Sequence, residues 1–195
     1  MTPAVVGVAN HNGWAHFVTI AWTDEEPVVV DRRRVTLVAD DVPKQPHEHH
    51  ARELLKPEAQ ALVDRVRRSA ADHAHAALAT LRDELAPVLT LHAMAMRRSQ
   101  FGELPADIGE ILDYPPFRYA ADSMLYLEAL EEAATALGLS VERHKKGDEF
   151  ARAGARLGLD DAETEAWLRD LGPRLGPPWT EDHRRAAAAA IGVGQ

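Results

Sequence analysis

Val5-Val6-Gly7-Val8-Ala9-Asn10-His11-Asn12-Gly13-Trp14-Ala15-His16-Phe17-Val18-Thr19-Ile20-Ala21-Trp22 is the stretch that decides the architecture. Two strand-like apolar runs flank Asn12-Gly13, and Asn-Gly between such runs is a strong hairpin signal because both residues tolerate the positive φ of a tight turn. A second turn falls at Asp24-Glu25-Glu26-Pro27. Val28-Val29-Val30 then leads through Asp31 and Arg32-Arg33-Arg34 to Val35-Thr36-Leu37-Val38, a third strand or a bent pair. Alternation puts Arg33, Val35 and Leu37 on one face of it. The chain therefore opens as a three-stranded meander.

Residues 39–56 follow as a polar connection holding Pro43, Pro46 and His47-Glu48-His49-His50. A long helix is expected from Pro57, since proline suits a first helical turn. Leu62, Val66, Ala70, Ala74, Leu78, Leu81 and Leu85 recur every three or four residues as its buried stripe. Pro87 stops it. Val88–Met96 reads as a buried strand and Tyr119–Leu137 as a second helix halted at Gly138. Leu139–His144 is a short strand, and residues 148–176 form helical material with Asp148, Asp160 or Asp161 as caps. Thr180 caps a last helix through Ile191.

Bulk properties narrow the function. The 195 residues suit one domain, with 46% apolar and 27% charged content typical of a globular chain. There is no cysteine, which excludes disulfides, thiolate zinc sites and thiol catalysis and fits a reducing cytoplasm. No signal peptide, membrane span or internal repeat is evident. The net charge of −9 works against nucleic-acid binding unless basic patches offset it locally. Arg32–Arg34, Arg65/Arg67/Arg68, Arg97-Arg98 and Arg184-Arg185 are the candidates.

The order β-β-β-α-β-α-β-α resembles the ribonuclease H-like fold, an α/β mixed five-stranded sheet with helices on both faces. Within it the chain is most similar to the RuvC-type Holliday junction resolvases. The carrying residues are Gly7-Val8-Ala9-Asn10, Ala120-Ala121-Asp122-Ser123, Leu139–His144 and Asp182–Ile191. The resemblance implies a single domain over 1–195, with a His/Pro-containing loop at 39–56 and a helical insertion at 148–176. It also implies carboxylates at the ends of strands one and four and on the last helix, holding two divalent ions for phosphodiester cleavage. Here the first position falls at Ala9 or Asn10 and the second near His92, neither of them an acid. Asp182 occupies the third, and Arg185 stands one turn beyond it.

Asn10, His92 and Asp182 are accordingly the expected lining of a catalytic site, with His11 and His183 as auxiliary ligands or proton carriers. Imidazoles favour zinc, manganese or iron over magnesium. His47, His49 and His50 form a separate candidate: a surface loop, a metal site with Glu48 bridging, or a pH-sensitive contact. The plain alternatives are a turn at Asn10–Gly13, a core histidine at His92 and a dipole-favoured acid at Asp182. The leading functional expectation is a divergent metal-dependent nuclease acting on nucleic acid. The others are a catalytically inactive ribonuclease H-like binding or assembly module and a histidine-rich transition-metal-binding protein. The oligomeric state is left open by the sequence, a homodimer among the alternatives.

Overall fold

A computed structural model describes residues 1–193. Strands β1 (Thr2–His11), β2 (Trp14–Thr23) and β3 (Glu26–Thr36) form the antiparallel meander. Gly13 turns the first hairpin at a φ of 83°, and Asp24 and Glu25 turn the second at 50° and 69°. The third strand is continuous rather than a bent pair. A register shift opposite Thr19/Ile20 absorbs the irregularity. Strands β4 (Leu89–Arg97) and β5 (Ser140–His144) add in parallel, giving the order β3-β2-β1-β4-β5.

The helices are α1 (Pro46–His49), α2 (Lys56–Leu85), α3 (Ile108–Asp113), α4 (Pro115–Ala136), α5 (Glu149–Leu157), α6 (Asp161–Asp170), α7 (Gly172–Leu175) and α8 (Glu181–Val193). The sheet is covered on both faces, because alternation in β1 splits its side chains. Ala4, Val6 and Val8 join a core with Val66, Leu78, Leu81, Leu125 and Leu130 of α2 and α4. Val5 joins the other core, with Ala93, Ala95, Ala153, Leu168 and the alanines of α8. This is the α/β five-stranded architecture of the ribonuclease H-like fold.

Some boundaries differ from expectation for local reasons. The loop at 39–56 contains α1 and a 3-10 turn at Ala51–Glu53, because Asp122 of α4 accepts hydrogen bonds from the backbone of His47 and Glu48. Helix α4 starts at Pro115-Pro116 instead of Tyr119, the two prolines filling first-turn positions whose N–H groups need no partner. In α2, Ala59 and Val63 take inward places and Leu62 packs only partly buried beside a small cluster with Ile108 and Leu112. Asp160 caps α6 in a reciprocal capping box with Glu163, whereas Asp148 makes no side-chain cap bond to α5.

The tightest constraint is at Gly7. A Cβ there would lie 1.8 Å from the carbonyl oxygen of Ala186 in α8. Helix α8 presents five consecutive alanines, Ala186 to Ala190, all buried, so its backbone lies directly on β1. Glycine in a strand commonly marks such a close backbone approach. Replacing Gly7→Ala should therefore cost about 3 kcal/mol or more by overpacking, read as a lowered urea midpoint. An unchanged midpoint would show that α8 is free to move outward.

Candidate functional site

The C-terminal ends of β1 and β4, the end of β5 and the first turn of α8 enclose a cleft of about 350 Å³. Asn10 enters it at the end of β1 and is almost fully buried, at 5% exposure. Its side-chain oxygen accepts a hydrogen bond from Nε of Arg97, at 3.1 Å, and Arg97 is the last residue of β4. Across the cleft, His11 Nε2 meets Asp182 Oδ2 at 2.9 Å. The His11 ring stacks flat on Trp14 at 4.0 Å, and the Arg34 guanidinium covers the Trp14 ring at 4.4 Å. The His11–Asp182 pair is partly solvated and contributes less than about 1 kcal/mol.

The third wall is a chain of ion pairs. His144, at the end of β5, lies 3.4 Å from Glu149 in the first turn of α5. Glu149 also accepts from the Gly147 amide at 2.9 Å and from Arg185 at 3.3 Å, while Arg185 reaches Glu181 at 2.8 Å. Burial pushes the Glu149 carboxyl up. The hydrogen bond from His144, with the charges of His144 and Arg185, outweighs that and holds it below the usual range.

Behind Asp182, the rings of His16 and His183 face each other at 4.0 Å. Nδ1 of His183 accepts from the Thr180 amide at 3.2 Å and lies 2.7 Å from the Thr180 hydroxyl, so the neutral ring carries its proton on Nε2. Burial, the neighbouring His16 and the cationic Arg32 push the His183 pKa down to about 4, against a weaker upward pull from Asp182. Arg32 donates to the carbonyls of Gly176 and Pro178, both at 2.7 Å, and so pins the segment leading into α8.

The structure thus brings Asn10, His11, Asp182 and His183 to one end of the sheet, and His92 elsewhere. His92 falls at the bulge where β4 shifts register against β1, between Leu91 opposite Ala4 and Ala93 opposite Val5. That is five residues before Arg97, or roughly 16 Å along the strand at about 3.3 Å per residue. The expectation that His92 lines the site is corrected: strand four ends at the cleft with Arg97. His47 is buried at 3% exposure, with Nδ1 2.7 Å from Asp122 Oδ1, while His49 and His50 are exposed. The three therefore do not converge.

Sequence reasoning overlooked Arg97 as the partner of Asn10, and the triad His144–Glu149–Arg185. The available signal for Arg97 was the Arg97-Arg98 pair closing an apolar strand where the resemblance implies an acid. Glu149 and His144 gave none, because their meeting depends on how α5 folds back beside β5.

The ribonuclease H-like fold implies two divalent ions at this cleft, and the residues do not fit them. Asn10 Oδ1 is committed to Arg97, Asp182 Oδ2 to His11, and Glu149 to His144, Arg185 and the Gly147 amide. Among the described residues no group of three or more His, Asp or Glu side chains is arranged to hold a metal ion. Magnesium prefers free, hard oxygen donors. A dication about 5 Å from a guanidinium would be repelled by roughly 7 kcal/mol at an effective dielectric constant of about 20.

Comparison with solved structures identifies two of RuvC from Thermus thermophilus, one in complex with a Holliday junction substrate. Their TM-scores are 0.55 and 0.54, with 14% sequence identity in each case, covering 97% of this chain and 92% of that one. At that identity the likeness shows the fold. No protein-family model matches the sequence, and no curated protein matches it.

The depressed His183 pKa fixes the sign of a pH effect. Above pH 6.5 the ring is neutral in both folded and unfolded chains, and its contribution to stability is complete. Between pH 6.5 and about 4 the unfolded chain takes up the proton first, so stability falls, by up to about 3 kcal/mol at about 1.4 kcal/mol per tenfold change. Urea unfolding across that window should show a shallower decline in His183→Gln than in the parent. Equal slopes would place the pH dependence in other groups.

Proposed function

We propose that this chain is a single ribonuclease H-like module of the cytoplasm that holds nucleic acid at the β1/β4 cleft without cutting it. The observation that carries the reading is Arg97. Where the fold implies a strand-four carboxylate, a guanidinium donates to the side chain at the end of β1. Arg185 repeats the substitution on α8, bridging Glu149 and Glu181. Fixed cations thus sit where divalent ions would otherwise neutralise phosphate, and a guanidinium suits phosphate oxygens geometrically.

The approach to the cleft supports a polyanionic partner. Lys146 lines the cleft, Arg98 lies beside Arg97, and neither forms an ion pair among the described residues. Tyr119, 55% exposed, meets Phe101 edge-to-face next to this patch and offers a surface on which a base can stack. The RuvC structure solved with a Holliday junction makes branched DNA the first probe. The net charge of −9 limits affinity to what this local patch supplies.

Fluorescence anisotropy with a labelled four-way junction and a labelled single strand tests the reading. We expect salt-dependent binding, its logarithmic slope reflecting the few phosphates neutralised, at about −0.9 per phosphate on duplex arms. Arg98→Ala combined with Lys146→Ala should weaken it severalfold, with no cleavage in magnesium or manganese. Metal-dependent cleavage that disappears in Asp182→Asn would overturn the non-catalytic part and restore the nuclease. Absence of binding to either DNA would remove the nucleic-acid part.

A further inference from the structure

Strand β3 is the outer strand of the sheet and has β2 as its one neighbour. Beyond the ladder to β2, no residue of β3 takes part in a backbone–backbone hydrogen bond among the described residues. A row of free N–H and C=O groups is a template for another strand. This row is long, at eleven residues, whereas the opposite edge, β5, has five. It also carries apolar side chains in water: Val28 and Val30 are 42% and 38% exposed.

Charge along this edge is segregated. Asp24-Glu25-Glu26 stands at one end, Arg32-Arg33-Arg34 at the other, and Val28-Val29-Val30 between them. Among the described residues, the ion pairs of this stretch join Arg33 to Asp31 and to Glu84. Arg32 is bound by backbone carbonyls, and Arg34 lies over the Trp14 ring, so neither charge is balanced by a carboxylate. The three acids of the turn are exposed and equally unbalanced. Such an edge repels a parallel copy of itself and attracts an antiparallel one.

The bulge gives that antiparallel pairing its register. Thr19 pairs with Asp31 and Ile20 with Val29, so Val30 has no partner on β2. Before the bulge, Val29 packs on the α8 side. After it, Arg32 reaches the segment before α8, and Arg34 lies opposite His16, whose ring faces His183 of α8. Arg33 points the other way, to Glu84 of α2. Odd positions before the bulge thus share a face with even positions after it. A twofold axis normal to the sheet between Val29 and Val30 respects this: it sets Glu26 opposite Arg33 and Glu25 opposite Arg34 of a second copy. Val29 then meets Val30 at the axis.

We propose that two copies of this chain pair antiparallel through β3, joining their five-stranded sheets into one of ten strands. A twofold contact uses the same patch on both partners and must be complementary to itself. Acids at one end, arginines at the other and valines at the centre meet that condition, and each charge pairing occurs twice. The strands reverse direction across the axis, so the two β1/β4 clefts open at opposite ends of the joint sheet. The pairing does not rest on what those clefts bind.

Sedimentation velocity of the full chain from about 1 μM to about 1 mM, the range of weak to moderate association, is the test. We expect a monomer–dimer equilibrium with nothing larger, because the contact consumes the edge that makes it. Val30→Lys sets two ammonium groups at the axis and should leave the chain monomeric. Arg34→Glu should weaken the dimer by about fourfold or more, since two symmetric ion pairs are lost and each solvated pair contributes about twofold to fivefold. Adding Glu25→Arg to the Arg34→Glu chain exchanges the charges and should restore the dimer. If Val30→Lys does not fold, the charge exchange decides. A chain that stays monomeric at the highest concentration, species larger than a dimer, a dimer indifferent to Arg34→Glu, or an exchange that restores nothing would overturn the proposal and leave β3 as a charge-guarded edge.

Discussion

The contact of α8 with β1 at Gly7 is the constraint from which the cleft follows. Because no Cβ stands between Gly7 and the Ala186 carbonyl, the helix axis can approach a central strand closely, with the small side chains of Ala186–Ala190 buried beneath it. This closeness brings the first turn of α8 level with the end of β1, so Asp182 reaches His11 at 2.9 Å. A larger residue on either side would lift the helix and open that distance. Arg32 acts in the same direction from the edge strand, holding the backbone before α8 by its carbonyls. Packing thus sets the position of the polar groups, and the polar groups add little to the packing.

Within the cleft so formed, charge decides the chemistry. A two-metal site needs an excess of negative charge on unengaged oxygens. This cleft has Glu149, Glu181 and Asp182 against Arg97, Lys146 and Arg185, and its acids are taken up by pairs inside the protein. Such a balanced set stabilises itself. The same arrangement leaves Lys146 and the neighbouring Arg98 as the groups available to an incoming anion. A nuclease cleft draws phosphate in through its metals, whereas this one must do so with side-chain cations.

The sequence made the fold legible where signals were local. Asn12-Gly13, the apolar run of β1 and the Ala70–Leu85 stripe each depend on neighbours within a few residues, and each appears in the structure as read. The fourth strand reads to Met96, one residue short of its end at Arg97, so the strand is legible and only the site position on it is misplaced. The position assigned near His92 lies five residues before that end, at a bulge that nothing in the neighbouring sequence announces. Asn10, His11 and Asp182 could be brought together by topology alone. The pairing of His47 with Asp122 spans 75 positions and needs the docking of α1 on α4, which no spacing reveals.

That pairing also bears on why a polar residue occupies a fully buried turn of α4. An isolated carboxylate there would be heavily penalised, and three donors, two amides and a ring N–H, are what make Asp122 tolerable. Two of those bonds are enough to explain α1, since they hold the amides that begin it. The third bond serves no backbone group: it fixes the His47 imidazole against α4. The imidazole therefore does what an apolar side chain at that position could not: it supplies the third donor to a carboxylate sealed from water.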